Sequence, residues 1–271
     1  MTDPGQAGVV RAADPRSALI GVRQLDKRYP GRNGGVRALA DVSFDVANGE
    51  FVSIVGPSGC GKSTLLKILA GLIPRTAGTV RIGERQVARP DRDTGMVFQA
   101  PVLLPWRTVL DNVLLPIEIS RLPRRRFLDR AMSLLQLVGL AGFEYRYPFE
   151  LSGGMQQRAS IVRALVHDPK LLLMDEPFGA LDAMTREQMN EETLRIWEAS
   201  GKTIVFVTHS ISEAVFLSDR VLVMTPRPGT LAAIIDIDLP RPRGLAVINS
   251  DRFGVHATRI RDLLNVKRDL S

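Results

Sequence analysis

The chain has 271 residues, 45% of them apolar and 24% charged, with a mean hydropathy of +0.03. These are ordinary values for a globular chain and exclude a disordered, collagenous or disulfide-scaffold class. Lys+Arg 36 against Asp+Glu 29 leaves +7, which asks for an anionic partner without choosing among nucleic acid, phosphate ligand and lipid surface.

In chain order, Met1 to Ser17 holds Asp, Gly, Pro and Arg but no apolar stretch, so it does not read as a signal peptide; residues 1–19 are expected to form a polar, mobile lead-in. Ile20 to Val46 alternates, as in Val42-Ser43-Phe44-Asp45-Val46, with turns at Pro30-Gly31 and Gly34-Gly35, and predicts half-buried strands. Four compact apolar runs follow: Phe51–Val55, Met96–Phe98, Leu171–Met174 and Thr203–Val207. Patterns of helical period lie between them, such as Leu65, Leu66, Ile68, Leu69 and Leu72. Unbroken apolar strands separated by helices predict an α/β core, a parallel sheet covered on both faces.

From Pro101 strand signals stop, and Phe127, Ala131, Leu134, Leu135 and Val138 mark a helix, so about 101–158 reads as an inserted helical subdomain. A strand at Val221–Met224, a Pro226-Arg227-Pro228-Gly229 turn and a strand through Ile237 come next. Residues 241–271 read as a basic tail with a short amphipathic helix around Ile260–Leu264. No apolar run approaches the ~20 residues of a spanning helix. The single cysteine, Cys60, excludes an internal disulfide and suits a reducing compartment.

The strand Phe51–Val55 runs into Gly56-Pro57-Ser58-Gly59-Cys60-Gly61-Lys62-Ser63-Thr64 and then a helical pattern, the strand–loop–helix setting of a phosphate loop. Its glycines let successive backbone N–H groups turn inward on phosphate oxygens, and the helix N-terminus adds partial positive charge. Lys62 is placed to reach β- and γ-phosphates and Ser63 to ligate Mg²⁺. Cys60 is expected to act through its backbone, with neighbouring cations able to lower its thiol pKa.

Parallel sheets bind ligands beyond the carboxyl ends of their strands. The other three runs end at Gln99, at Asp175-Glu176-Pro177 and at Thr208-His209. Asp175 fits a Mg²⁺ carboxylate, Glu176 a group that orients or deprotonates water, and His209 a γ-phosphate hydrogen-bond donor; Gln99 is the weakest of the set.

Leu151-Ser152-Gly153-Gly154-Met155-Gln156-Gln157-Arg158 resembles the signature motif of ABC-type ATPases. Read physically, Ser152 caps a helix starting at Gly153-Gly154, so hydroxyl, amides and helix dipole face an anion. The resemblance implies a RecA-like P-loop NTPase domain over residues 20–240, with a mostly parallel sheet, an N-terminal antiparallel β subdomain and the helical insertion. It implies ATP and Mg²⁺, and two copies head to tail with ATP between the phosphate loop of one and the signature of the other. Gln99 then joins the catalytic and Mg²⁺ groups, Asp182 in Gly179-Ala180-Leu181-Asp182 communicates across the interface, and Tyr29 stacks on adenine.

A finer resemblance is to importer ATPases of the nitrate/sulfonate/taurine group. Phe98-Gln99-Ala100-Pro101-Val102-Leu103-Leu104-Pro105-Trp106, Pro148-Phe149-Glu150, Met155 and the Met224–Gly229 turn carry it. It implies transmembrane permease subunits, an extracytoplasmic solute-binding protein and a place on the cytoplasmic face of the membrane. Leu103, Leu104, Pro105 and Trp106 are a permease-contact patch or the insertion's own core. An exporter or lipid-transport ATPase stays open. A DNA-maintenance ATPase is disfavoured, because only 87 residues without sustained heptads separate Thr64 from Ser152. Arg121, Arg124, Arg125, Arg126 and Arg130 read as a solvated face, without the interleaved aromatics of a nucleic-acid surface.

Overall fold

The computed structural model describes residues 18–31 and 35–265. The lead-in through Ser17, Gly34 of the expected turn and residues 266–271 lie outside the described residues. The first half contains β1 (Ala18–Tyr29), β2 (Val36–Ala47), β3 (Phe51–Val55), α1 (Lys62–Leu69), β4 (Ala77–Ile82), β5 (Arg85–Gln86) and β6 (Thr94–Val97). Then come α2 (Val109–Val113), α3 (Leu115–Ile119), α4 (Arg125–Leu137), α5 (Gly153–Leu165), β7 (Leu171–Asp175), α6 (Ala183–Ser200), β8 (Thr203–Val207), α7 (Ile211–Leu217), β9 (Arg220–Met224), β10 (Leu231–Asp236) and α8 (Asp251–Asn265).

The strands form two sheets. One is antiparallel in the order β2-β1-β4-β5. The other runs β10-β9-β3-β8-β7-β6, parallel except for β10, which pairs antiparallel with β9. Every residue of β3 and β8 is buried, as expected of strands covered on both faces. Successive residues therefore serve opposite cores. Val52 and Ile54 pack with Ile20, Val22, Leu65 and Leu66 between the two sheets, while Phe51 and Val55 join α5 and α7 on the far side.

The predicted run at Met96–Phe98 shifts to Thr94–Val97, and Phe98 stands 37% exposed. The insertion is helical, and α4 buries Ala131 and Leu135 as its pattern predicts. Asn112, fully buried, accepts from the Leu104 amide (2.7 Å) and donates to the carbonyls of Leu104, Arg107 and Thr108, which pins the loop before α2. The apolar patch divides: Leu103 packs on the core, whereas Trp106 is 71% exposed. The arginine face is not uniformly solvated either, since Arg124 pairs with Asp111 and Glu118, and Arg130 with Asp168.

The largest departure is at the C-terminal end. Residues 241–265 are not a tail: α8 starts at Asp251, nine residues before the expected helix, and buries Phe253 and Ile260 in the core shared with α7. Arg241 pairs with Asp219 at 2.8 Å and lies 4.1 Å over the Trp197 ring. Arg243 is buried and donates to five carbonyls, those of Val215, Phe216, Ser218, Ile237 and Leu239. The first three close the C-terminus of α7, where a helix leaves its last carbonyls unpaired and its dipole negative. Burial, helped by Arg241, pushes the guanidinium down to about 10, so it remains charged at neutral pH. Arg243→Met should remove the donor and leave those carbonyls buried. We expect a loss of about 3 kcal/mol of stability, read as a lower urea midpoint with unchanged slope.

Candidate functional site

The carboxyl ends of β3, β7 and β8 lie side by side, because β3 pairs with β8 and β8 with β7 in parallel register. That adjacency carries the phosphate loop, Asp175-Glu176 and Thr208-His209 to one edge of the sheet, although they are far apart in sequence. The loop leaves β3 at Val55 and enters α1 through Gly61, whose φ of 106° and crowding make glycine necessary: a Cβ there would stand 2.9 Å from the Ala38 carbonyl oxygen.

Lys62 is buried, and its Nζ donates to the carbonyls of Gly56 (2.8 Å) and Pro57 (3.2 Å), so the ammonium is held inside its own loop. Ser63 Oγ donates to Asp175 Oδ1 at 2.8 Å. Burial pushes the Asp175 carboxyl up, opposed by that hydroxyl. Oxygen donors from two elements thus converge at one point. Mg²⁺ takes hard oxygen ligands, only one or two of them from protein carboxylates, and the pair fits it on that chemistry.

Glu176 Oε2 and His209 Nδ1 are 3.3 Å apart. Glu176 holds a left-handed backbone, φ 47°, rare for a residue with a Cβ and clustered at functional positions. Gly179 adjoins both: a Cβ built there would lie 3.5 Å from Gln99 Nε2, 3.5 Å from the Glu176 carbonyl oxygen and 3.8 Å from His209 Cε1. Gln99 is therefore in the neighbourhood of the pair, exposed, with no side-chain hydrogen bond among the described residues.

An open cleft of about 480 Å³ borders these groups, lined by Ser58, Gly59, Gly61, Lys62, Ser63 and Thr64 of the loop and by Glu176. Tyr29, 38% exposed, forms another wall; its hydroxyl is 3.4 Å from Thr64 Oγ1, and Lys27 Nζ lies 4.9 Å from its ring centre. The cleft also includes Val36, Ala38 and Arg227, to which the sequence motifs assign no role in the site. Arg227 stands in the turn after β9, where the sequence showed turn residues and nothing about what the turn faces. Cys60 corrects an expectation: the thiol is buried and desolvation pushes its pKa up against the opposing charge of Lys62.

Ser152 caps α5 as expected, accepting from Met155 N at 3.3 Å. Asp182 caps α6 by accepting from the amide and hydroxyl of Thr185, which hold its carboxyl below the usual range. A Cβ on Gly154 would stand 2.9 Å from Thr185 Cγ2, so the two caps are close neighbours. Neither Ser152, Gly153, Gly154 nor Asp182 lines the cleft of its own chain.

Three comparisons accord with this geometry. An uncharacterized ABC transporter ATP-binding protein of Methanocaldococcus jannaschii is 45% identical over 261 residues, 96% of this chain and 95% of that protein. The taurine import ATP-binding protein TauB of Rhizobium johnstonii is 47% identical over 240 residues, 87% of this chain and 92% of that one. The dimeric post-hydrolysis structure of the ATP-binding cassette MJ0796, bound to ADP and Pi, superposes with a TM-score of 0.70 at 34% identity, covering 82% of this chain and 100% of that chain. The family profile described as ABC transporter matches residues 39–179, a span that holds the phosphate loop, the signature and the Asp175-Glu176 turn, and the chain belongs to that family.

Proposed function

We propose that this chain is the ATP-hydrolysing motor subunit of a membrane importer for a small anion or organic solute of the nitrate, sulfonate or taurine kind. The observation that carries the reading is that Lys62, Ser63 and Glu176 line one cleft, with Asp175 hydrogen-bonded to Ser63 and His209 to Glu176 beside it. Tyr29 supplies a face for adenine, and the amides of 56–64 with Lys62 hold the triphosphate. Mg²⁺ bound by Ser63 and Asp175, with Gln99 as a further oxygen donor, would neutralise charge on the phosphate oxygens. Glu176 takes a proton from the attacking water, while His209 orients Glu176 and donates to the γ-phosphate.

Because the signature lies outside the chain's own cleft, a second copy would supply Ser152, Gly153 and Gly154 to the triphosphate, with Asp182 facing the same interface. The dimeric state of the MJ0796 cassette supports this arrangement. ATP would close the pair, and loss of the γ-phosphate would reopen it. The exposed Trp106, and Phe149 stacked on Tyr147 at 5.6 Å, offer apolar contacts to a permease helix. An extracytoplasmic solute-binding protein would deliver the solute, and the subunit would work on the cytoplasmic face; no nucleic acid takes part.

Affinity purification of the tagged full chain from native membranes tests the reading. Integral permease subunits should co-purify, and the attached binding protein can be screened against taurine, alkanesulfonates and nitrate. Recovery of nucleic acid or ribosomes in place of a permease would overturn it.

A further inference from the structure

The cleft holds a second cation to which the proposed reaction gives no task. Arg227, exposed in the turn between β9 and β10, lies against the outer side of the phosphate loop: its Nε donates to the Gly59 carbonyl at 3.1 Å. Its Nη2 is 3.1 Å from the point that a Cβ on Gly59 would occupy. Among the described residues no carboxylate pairs with it, and its other N–H groups have no hydrogen-bond partner. The guanidinium nevertheless lines the cleft that Tyr29, Lys62 and Glu176 share.

The turn that places it is built rather than loose. The Thr230 amide donates to Thr225 Oγ1 at 3.0 Å, which closes the turn from within. Gly229 donates to the Ala38 carbonyl (3.0 Å) and accepts from the Ala40 amide (2.9 Å), joining the turn to β2 and to the Ala38 wall of the cleft. A Cβ on Gly229 would stand 2.0 Å from the Cys60 carbonyl oxygen, so glycine alone lets the turn close on the phosphate loop. Two cations thus grip one loop from opposite ends: Lys62 at the Gly56 and Pro57 carbonyls, Arg227 at the Gly59 carbonyl. The Lys62 ammonium is buried, whereas Arg227 keeps a planar fork of unused donors beside the bed of a polyanion.

We propose that Arg227 is a phosphate-binding residue of the nucleotide site. One N–H fixes the guanidinium to Gly59, and the remaining donors bind oxygens of the nucleotide's phosphate chain. This rests on the reading of the cleft as an ATP site. Anchoring to the loop matters energetically, because a side chain already held in place loses less rotamer freedom when the ligand arrives.

Calorimetric titration of the full chain with ATP at low and high salt tests the assignment, using wild type, Arg227→Ala, Arg227→Lys and Lys62→Ala. Arg227→Ala should weaken ATP about tenfold, the scale of one charge-assisted hydrogen bond, with a smaller loss in Arg227→Lys and a difference that shrinks as salt rises. If Arg227→Ala binds like wild type while Lys62→Ala loses ATP, the proposal falls and the cleft reading stands. If both variants bind like wild type, the cleft reading itself falls. Equal losses in Arg227→Ala and Arg227→Lys, with a lowered unfolding midpoint in the absence of nucleotide, would make Arg227 a brace for the loop and overturn its role as a ligand.

Discussion

Glu176→Gln is expected to retain ATP binding, lose hydrolysis by about 10²- to 10⁴-fold and accumulate a nucleotide-bound dimer. The substitution conserves shape and leaves an amide able to hydrogen-bond His209, now 3.3 Å from the carboxylate, so the strained backbone at φ 47° keeps its setting. It removes the one function an amide cannot supply, acceptance of a proton at neutral pH. Lys62, Ser63 and Tyr29 keep their positions, so affinity is untouched while the step that removes the γ-phosphate contacts is blocked. Steady-state turnover, nucleotide titration and gel filtration with ATP together read the three effects. Turnover equal to wild type in the reconstituted complex would take the proton from Glu176 and give it to another group. A fall in hydrolysis with a matching loss of binding would make Glu176 a binding residue.

The phosphate loop, Asp175-Glu176 and His209 were legible in the sequence because each sits where an apolar strand stops, and the chemistry of such a position is written in adjacent residues. The parallel sheet then brings them together without further information. The groups that were not legible depend on contacts made at long range. Arg227 bonds Gly59 across 168 positions, and nothing in a Pro-Arg-Pro-Gly turn announces that partner. β4 and β5 escaped notice because the Ala77–Ile82 strand is short and interrupted by Gly78, and β5 is only two residues long. The apparent basic tail misled for a related reason: Arg243 is balanced by backbone carbonyls, which every residue has and no composition reveals.

The same point changes the meaning of the net +7. Arg75 donates to the carbonyls of Gly78 and Val87, Arg163 to those of Pro101 and Val102, and Arg241 to that of Leu217, each without consuming an acidic side chain in that contact. Part of the positive balance therefore serves to hold backbone in place. Arg163 illustrates its use, since from α5 it holds Val102 in a left-handed backbone, φ 47°, just beyond Gln99. Gln157, also on α5, donates to the Phe98 carbonyl at 3.2 Å. The helix that begins at the signature thus hydrogen-bonds the backbone on both flanks of Gln99.

Lys62→Ala is expected to weaken ATP by about 10³-fold and bring turnover to background, the sum of two charge-assisted contacts to the triphosphate. Two consequences act in the same direction. The ammonium that would meet the β- and γ-oxygens is lost, and the carbonyls of Gly56 and Pro57 are left without their donor, so they turn partial negative charge toward an anion's bed. The fold should tolerate the change: the aliphatic stem of Lys62 leaves only a small gap at the start of α1, and the core residues Leu65 and Leu66 are untouched. Equilibrium titration with ATP checks the affinity, and the urea midpoint without nucleotide checks the fold. A Lys62→Ala chain that unfolds at the wild-type midpoint yet binds ATP within about threefold of wild type would place the triphosphate elsewhere, because Lys62 is the cation held inside the loop, whereas Arg227 meets the loop at Gly59 from its outer side.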